Sequence, residues 1–419
     1  MYIDEIELEN IRGFKSLKFS LKRPNSGYAG LTVFAGDNGS GKSTLLKAIA
    51  IALTGTEVAR ALQPSFQNWI QHNEETATIT LRIKPDTKDG FIGQGNSHVK
   101  LFSTQIKLKA NSRDVALESK PNRDVNSLWT SSVGWFSCGY GPFRRVFGAS
   151  SDATRQMMAT TTGRFVTMFY EAASLAEVNS WLRDLSHKAL ENKANASEQL
   201  QLLISLLNHN LLPNEMKVAR VDSEGVWLQD KNGIELSWDE MSDGYRSVIA
   251  LLADIIRHLI EVFGHGSMVT KQDNQFSINS SGVVLIDELD AHLHPEWQIT
   301  IGNWLKSHFP NIQFLVTTHS PLICQAADEN GLFHLPEPGS SDQPRAIKSE
   351  EYQKIINSRS DVILRSSLFG LQNTRSAQAI SNRKRVAELN AKKRSGAKMT
   401  ETEAHELIQL RGFLENEDD

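Results

Sequence analysis

Cysteine is nearly absent: Cys138 and Cys324 are the only two in 419 residues, far apart and without CxxC or Cys/His spacing. That excludes a disulfide-built scaffold and a zinc-finger type of site, and both are expected to be small core residues. A surplus of one charge is missing as well, since 45 Lys+Arg stand against 49 Asp+Glu for a formal net charge of −4. With 40% hydrophobic and 22% charged residues, neither a disordered chain nor a globally basic nucleic-acid binder fits. Any DNA or RNA contact must come from a local patch. No stretch offers the roughly 20 apolar residues of a membrane-crossing helix; the most apolar candidate, Val248 to Phe263, is interrupted by Asp254, Arg257 and His258. Met1-Tyr2-Ile3-Asp4-Glu5 carries acid where a secretory leader has a basic cluster. The expectation is a soluble, cytoplasmic protein without membrane contact.

What is present is α/β patterning, in a chain long enough for two or three domains at roughly 150 residues each. Ile3, Ile6 and Leu8, then Leu17 to Leu21, predict a hairpin around Asn10 to Phe14. Leu31-Thr32-Val33-Phe34-Ala35 reads as a buried strand entering a glycine-rich loop, and Thr44 to Ala50 continues as a helix. Alternation at Thr76–Ile83 and Val99–Leu108, with a further apolar run at Val133–Phe136, predicts strands of one sheet region. From about Ala153 to Leu212 the spacing is helical, with Leu175, Val178, Trp181, Leu182 and Leu185 on one face. Val283–Ile286 and Gln313–Thr317 flank an amphipathic helix near Trp297 to Phe309, which implies a parallel crossover. The segment beyond Leu335 to Arg345 reads as helical.

Gly36-Asp37-Asn38-Gly39-Ser40-Gly41-Lys42-Ser43 has the GxxxxGK[ST] spacing between a predicted strand and a predicted helix. Its glycines let backbone N–H groups converge on phosphates; Lys42 reaches the β and γ oxygens, and Ser43 supplies a hydroxyl for Mg²⁺. Thr44 follows in the first helical turn. Asp287 and Glu288 end the apolar run from Val283, at the carboxyl end of a strand where open α/β sheets bind ligands. Asp287 is expected to hold Mg²⁺ and Glu288 to polarise the attacking water. Ser242-Asp243-Gly244-Tyr245-Arg246 opens an apolar helix, which Ser242 is also suited to cap.

Together with Thr318-His319-Ser320-Pro321, these motifs stand in an order that resembles the ABC-type ATPases of the SMC, RecF and OLD group, over roughly residues 1 to 325. The resemblance implies ATP and Mg²⁺ as ligands. It implies that Arg12 lies near the nucleotide and that Ser242, Asp243 and Gly244 contact the γ-phosphate held by a second copy. It further implies that Leu289-Asp290 crosses the seam of a homodimer or higher homo-oligomer and that His319 senses the γ-phosphate. Two departures matter. Ser137-Cys138-Gly139-Tyr140-Gly141-Pro142 stands where the family places a glutamine, leaving the metal-sensing role unassigned. The Ser-Asp-Gly-Tyr-Arg signature and Gly-Tyr-Gly-Pro loop resemble defence-type ATPases rather than transporters. Arg144, Arg145 and Arg246 are open to phosphate, subunit-interface, solvated or salt-bridged roles.

The expected organisation is an ATPase lobe over 1–145, a helical insertion over 146–235, a second ATPase lobe over 236–345 and a basic helical tail over 346–419. The insertion is too short for SMC-type heptad arms. Between Asn373 and Met399 eight basic residues face the single acid Glu388. That run suits either a DNA or RNA backbone or the exposed face of a helical hairpin packed through Val386, Leu389, Leu407 and Leu410. About a hundred residues follow Pro321 without an Asp-x-Asp nuclease pair. The expectation is an ATPase controlling a separate effector nuclease, as in the Septu, PARIS and retron-associated defence systems that it resembles; a RecF-like repair ATPase and an ATP-stabilised scaffold with little turnover are the competing readings.

Overall fold

The structure is a computed structural model and describes residues 1–87, 89, 100–112, 114–130, 134–144, 146, 162–171, 173–193, 195–264, 269–272, 275–337, 340 and 342–414. The chain divides into two compact units, Met1–Ser360 and Asp361–Asp419.

In the first unit, β1 (Tyr2–Ile11) and β2 (Phe14–Ser20) form the expected hairpin. They join β4 (Thr76–Lys84), β5 (Phe102–Ala110) and β6 (Val115–Glu118) in an antiparallel sheet of order β2-β1-β4-β5-β6. A second sheet has the order β16-β15-β3-β14-β13-β7 and contains β3 (Gly30–Ala35), β7 (Ser137–Tyr140), β13 (Gly282–Ile286), β14 (Ile312–Thr318), β15 (Leu332–His334) and β16 (Arg345–Ala346). All its pairings are parallel except that of β16. Strands β13 and β14 are buried throughout, as parallel strands covered on both faces must be. The strand near Val133–Phe136 is thus displaced to 137–140 and belongs to this parallel sheet, not to the sheet of β4 and β5.

Helix Lys42–Leu62 lies between the two sheets and buries residues on every side, including Leu45, Ile49, Ala52 and Leu53. An all-round apolar helix is what a central layer requires. It kinks at Gly55 (φ 83°), where a Cβ would lie 2.6 Å from the Trp129 ring. The kink leaves the Ala52 carbonyl available, and it accepts from Trp129 Nε1 (3.0 Å) and Thr104 Oγ1 (2.9 Å). Gln313, buried in β14, binds both backbone groups of Ile3 (2.7 and 2.9 Å) and so ties the sheets together.

Helices Ala176–Leu190 and Ala196–Asn208 pack on a small antiparallel sheet, β8 (Lys217–Asp222), β9 (Gly225–Gln229) and β10 (Glu235–Leu236). Helix Asp243–Phe263 follows, then the pair β11 (Val269–Gln272) and β12 (Gln275–Ile278). In the second unit, helices Ala377–Arg394 and Glu401–Leu414 form a hairpin with Leu389 and Leu407 buried. Arg385 binds Glu406 through two bonds of 3.0 Å, and Lys392 binds Glu403 at 2.6 and 2.8 Å. Part of the basic run therefore holds the hairpin together. Both cysteines are buried and free, as expected. Among the described residues no helix is long and apolar enough to cross a membrane.

Candidate functional site

The loops after β3, β7, β13 and β14 converge at the carboxyl edge of the parallel sheet, the edge where such sheets bind ligands. After β3 the chain turns through Gly36 (φ 156°), Gly39 (81°) and Gly41 (91°) into helix 42–62. A Cβ on Gly36 would lie 2.1 Å from the Leu335 carbonyl oxygen, and one on Gly41 2.5 Å from the Phe14 ring. Backbone conformation and space both demand glycine there. The loop presents exposed Asn38 and Gly39, half-buried Ser43 and buried Thr44 around the helix N-terminus, where N–H groups and dipole favour an anion. Lys42 Nζ donates to the Gly36 and Asp37 carbonyls, both at 2.8 Å. Burial pushes the Lys42 ammonium below its usual pKa, against the nearby charges of Asp287 and Glu288. Ser40 Oγ is buried with no hydrogen-bond partner among the described residues, an orphan that a bound group would satisfy.

Arg12 sits at the β1–β2 turn with φ 48°. Its guanidinium lies 4.6 Å from the Trp69 ring centroid and donates to Thr44 Oγ1 at 3.2 Å. Burial lowers its pKa. A cleft of about 290 Å³ opens beside it, lined by Arg12, Phe14, Lys15, Gly39, Thr44 and Glu337 among others. The structure thus brings Arg12 together with the phosphate loop.

Asp287 is 1% exposed and accepts from Thr317 Oγ1. The same Thr317 oxygen accepts from the Glu288 N–H at 2.7 Å. Glu288 has φ 49°, a conformation costly for a residue with a side chain. Its half-buried carboxylate makes no hydrogen bond among the described residues. Asp290 accepts from Thr318 Oγ1 and from the His319 N–H (3.3 Å), so within one chain it fixes the segment that carries the half-buried His319. Gln298 adds a second tie, donating to the Leu293 carbonyl (2.9 Å) and accepting from Ser320 Oγ (2.6 Å).

Ser242 is the N-cap of helix 243–263, but its side chain makes no cap bond. Ser242 and Asp243 are exposed, whereas Gly244 packs so closely that a Cβ would lie 2.9 Å from the His292 carbonyl oxygen. Arg246 pairs with Asp243 at 2.7 Å. Arg144 is buried and, among the described residues, donates only to backbone carbonyls; Arg145 lies outside the described residues. In and after β7, Gly139 and Gly141 serve packing: Cβ atoms there would lie 2.7 Å from the Phe165 ring and 2.3 Å from the Thr167 carbonyl oxygen. Tyr140 donates to Asp254 Oδ2 at 2.9 Å, within a buried cluster that includes Arg257 and His258. Burial works against the His258 imidazolium, but Asp254 and Glu261 outweigh it and hold the pKa above its usual value.

Thr317 and Gln298 carry no local motif, and Arg144, open in the sequence to phosphate, interface, solvated or salt-bridged roles, donates to backbone carbonyls instead. For a divalent cation, the available donors are oxygens: the Ser43 hydroxyl and the Asp287 carboxylate. No group of three or more His, Cys, Asp or Glu able to hold a metal occurs among the described residues. A hydroxyl and a carboxylate are donors that suit Mg²⁺ arriving with phosphates, which takes one or two protein oxygens and leaves the rest to phosphate and water.

Two family profiles match the chain: "AAA domain" over residues 5–210 and "AAA domain, putative AbiEii toxin, Type IV TA system" over residues 164–325. Over residues 5–325 the chain is thus similar to AAA-domain proteins, and the 36–43 loop lies within the first of the two matches. It is related to the Septu protein PtuA of Bacillus mycoides (strain KBAB4), with 26% identity over 377 residues, covering 89% of this chain and 45% of that protein. It is also related to the Retron Vc95 probable ATPase of Vibrio cholerae serotype O1 biovar El Tor (25% identity, covering 76% of this chain and 71% of that one). A third relative is the Retron Ec83 probable ATPase of Escherichia coli (25%, 83% and 73%). The chain spans less than half the length of the first of these. Among solved structures it is similar to an Smc head bound to the C-winged helix domain of ScpA, at 16% identity and TM-score 0.49, covering 84% of this chain and 99% of that one.

Proposed function

We propose that this chain binds ATP with Mg²⁺ at the phosphate loop, hydrolyses it between two copies, and through that cycle controls a separate effector, a nuclease, in anti-phage defence. In this reading the N–H groups of residues 39–44 and Lys42 hold the β- and γ-phosphates, and Arg12 lies at the side of the nucleotide. Ser43 and Asp287 hold the cation, which when bound neutralises charge developing on the phosphates. Glu288, its carboxylate without a hydrogen-bond partner among the described residues, takes a proton from the attacking water. His319 lies beside the γ-phosphate, and the Asp290 link relays its position to the 287–292 turn.

The observation that carries the two-copy arrangement is the N-terminus of helix 243–263. A serine hydroxyl that leaves its own cap position unused, next to an exposed aspartate and a glycine pinned by its neighbours, presents donors to something outside the chain. The relatives named as Septu protein PtuA and as retron probable ATPases support the ATPase role in such systems. Light scattering tests assembly: Glu288→Gln with ATP is expected at twice the monomer mass, while Lys42→Ala and Ser242→Arg stay at monomer mass. A Glu288→Gln mass independent of ATP refutes nucleotide-driven pairing.

A further inference from the structure

We propose that Arg144 is a positioning residue for hydrolysis, a buried guanidinium that fixes the Asp287–Ala291 turn and thereby aims the Glu288 carboxylate. The inference rests on the hydrolytic reading above and adds to it the element that holds the water-activating group in place.

The geometry is specific. From the loop after β7, Nη1 of Arg144 donates to the carbonyls of Asp287 (2.7 Å) and Gly141 (3.2 Å), while Nη2 donates to those of Glu288 (2.9 Å) and Ala291 (3.4 Å). One planar fork therefore spans both ends of the turn, which a point-like ammonium cannot do. The register brings it there: β7 pairs with β13 up to Tyr140 and Ile286, and the Asp287 N–H continues the ladder to the Tyr140 carbonyl at 2.8 Å.

The turn needs such a clamp. Glu288 and His292 both have left-handed backbones, φ 49° and 65°, and non-glycine residues keep that conformation only where the surroundings over-determine it. Thr317 anchors the Glu288 N–H and Arg144 anchors its carbonyl, so both peptide groups beside the Cα are fixed and only the side chain remains free. A backbone held on both sides sets the direction of the Cα–Cβ bond.

Charge supports the same role. Arg144 is 2% exposed and has no carboxylate partner at hydrogen-bond distance among the described residues. Burial pushes its pKa down to about 10, while Asp287, Asp290 and Glu288 act in the opposite direction. A cation held on the carbonyls of this turn reduces repulsion among the three neighbouring carboxylates.

The test compares Arg144→Lys, Arg144→Ala and Glu288→Gln by steady-state phosphate release, binding of a non-hydrolysable ATP analogue and thermal melting. Both Arg144 variants are expected to lose about 100-fold in kcat, the size typical of a misplaced catalytic group, with analogue affinity held within about threefold. Millimolar guanidinium ion is expected to restore part of the turnover of Arg144→Ala and none of that of Glu288→Gln, a rescue that a purely structural loss does not give. Should the alanine variant fail to fold, Arg144→Lys, which keeps the buried charge, carries the test through its split between kcat and analogue affinity. Turnover of Arg144→Lys within about twofold of wild type, or a loss confined to analogue affinity, overturns the inference. If Glu288→Gln itself turns over normally, the hydrolytic reading fails and takes this one with it; if only the Arg144 variants do, the clamp alone is wrong.

Discussion

Thr317→Val removes one oxygen and two bonds from the centre of the site while keeping the shape of the side chain. The hydroxyl donates to the buried Asp287 carboxylate and accepts from the Glu288 N–H at 2.7 Å. A hydrogen bond to a charged group contributes about 1.5–3 kcal/mol, and a buried donor left without a partner costs about 1–3 kcal/mol. The two overlap because they share one oxygen, so the expected net loss is about 3 kcal/mol. That is a fall in Tm of roughly 5 °C for a unit of this size. Releasing the Glu288 N–H also lets its left-handed backbone relax, and kcat is expected to fall about tenfold while ATP-analogue affinity is kept. Differential scanning fluorimetry and a coupled phosphate assay read both effects. Thr317→Ser retains the oxygen and is expected near wild type. A valine variant within about 0.5 kcal/mol of wild type and with unchanged turnover shows that the hydroxyl does not organise the turn.

Lys42→Ala is expected to abolish detectable binding of a fluorescent ATP analogue without lowering Tm; retained affinity refutes the phosphate-loop assignment. Gly41→Ala places a Cβ 2.5 Å from the Phe14 ring on a backbone at φ 91°, and is expected to cost about 1–3 kcal/mol in thermal melting. For His258 the folded pKa lies above the unfolded value of about 6.5. Its stabilisation is therefore complete below about pH 6.5 and drains away as pH rises through the folded pKa. His258→Gln is expected to flatten the Tm–pH profile there, and an unchanged profile refutes the charge assignment. In the tail, Arg385 and Lys392 are engaged by Glu406 and Glu403, leaving Lys384, Lys393, Arg394 and Lys398 for any outside anion. Neutralising those four is expected to shallow the salt dependence of any duplex binding, and an unchanged slope removes the tail as a nucleic-acid contact.

The phosphate loop was legible because its demands fall on contiguous residues: glycines for positive φ, then lysine and serine opening a helix. Asp287 and Glu288 were legible because a buried parallel strand leaves only its end exposed to chemistry. The groups that steady them were not. Thr317 lies 29 residues from Glu288 in sequence and Arg144 lies 144 away, so no local pattern announces either contact. The strand β8 escaped for a different reason: its register against β9 shifts between Val218 and Arg220, and a bulge erases the period-two alternation by which a strand is read. Strand β7 was placed too early because its own residues, Ser-Cys-Gly-Tyr, include a glycine whose absent side chain makes room for Phe165; small residues selected for packing look like loop.

Trp297 has a further consequence. Its indole N–H donates to the Leu211 carbonyl at 2.7 Å, its ring meets Tyr245 edge-on at 4.7 Å, and Trp304, two turns along the same helix, binds the His209 carbonyl at 2.8 Å. The tip of helix 196–208 and the first turn of helix 243–263 are thus fastened to one rod. A change of packing in the 176–236 segment therefore reaches Ser242, at the start of helix 243–263, through that rod.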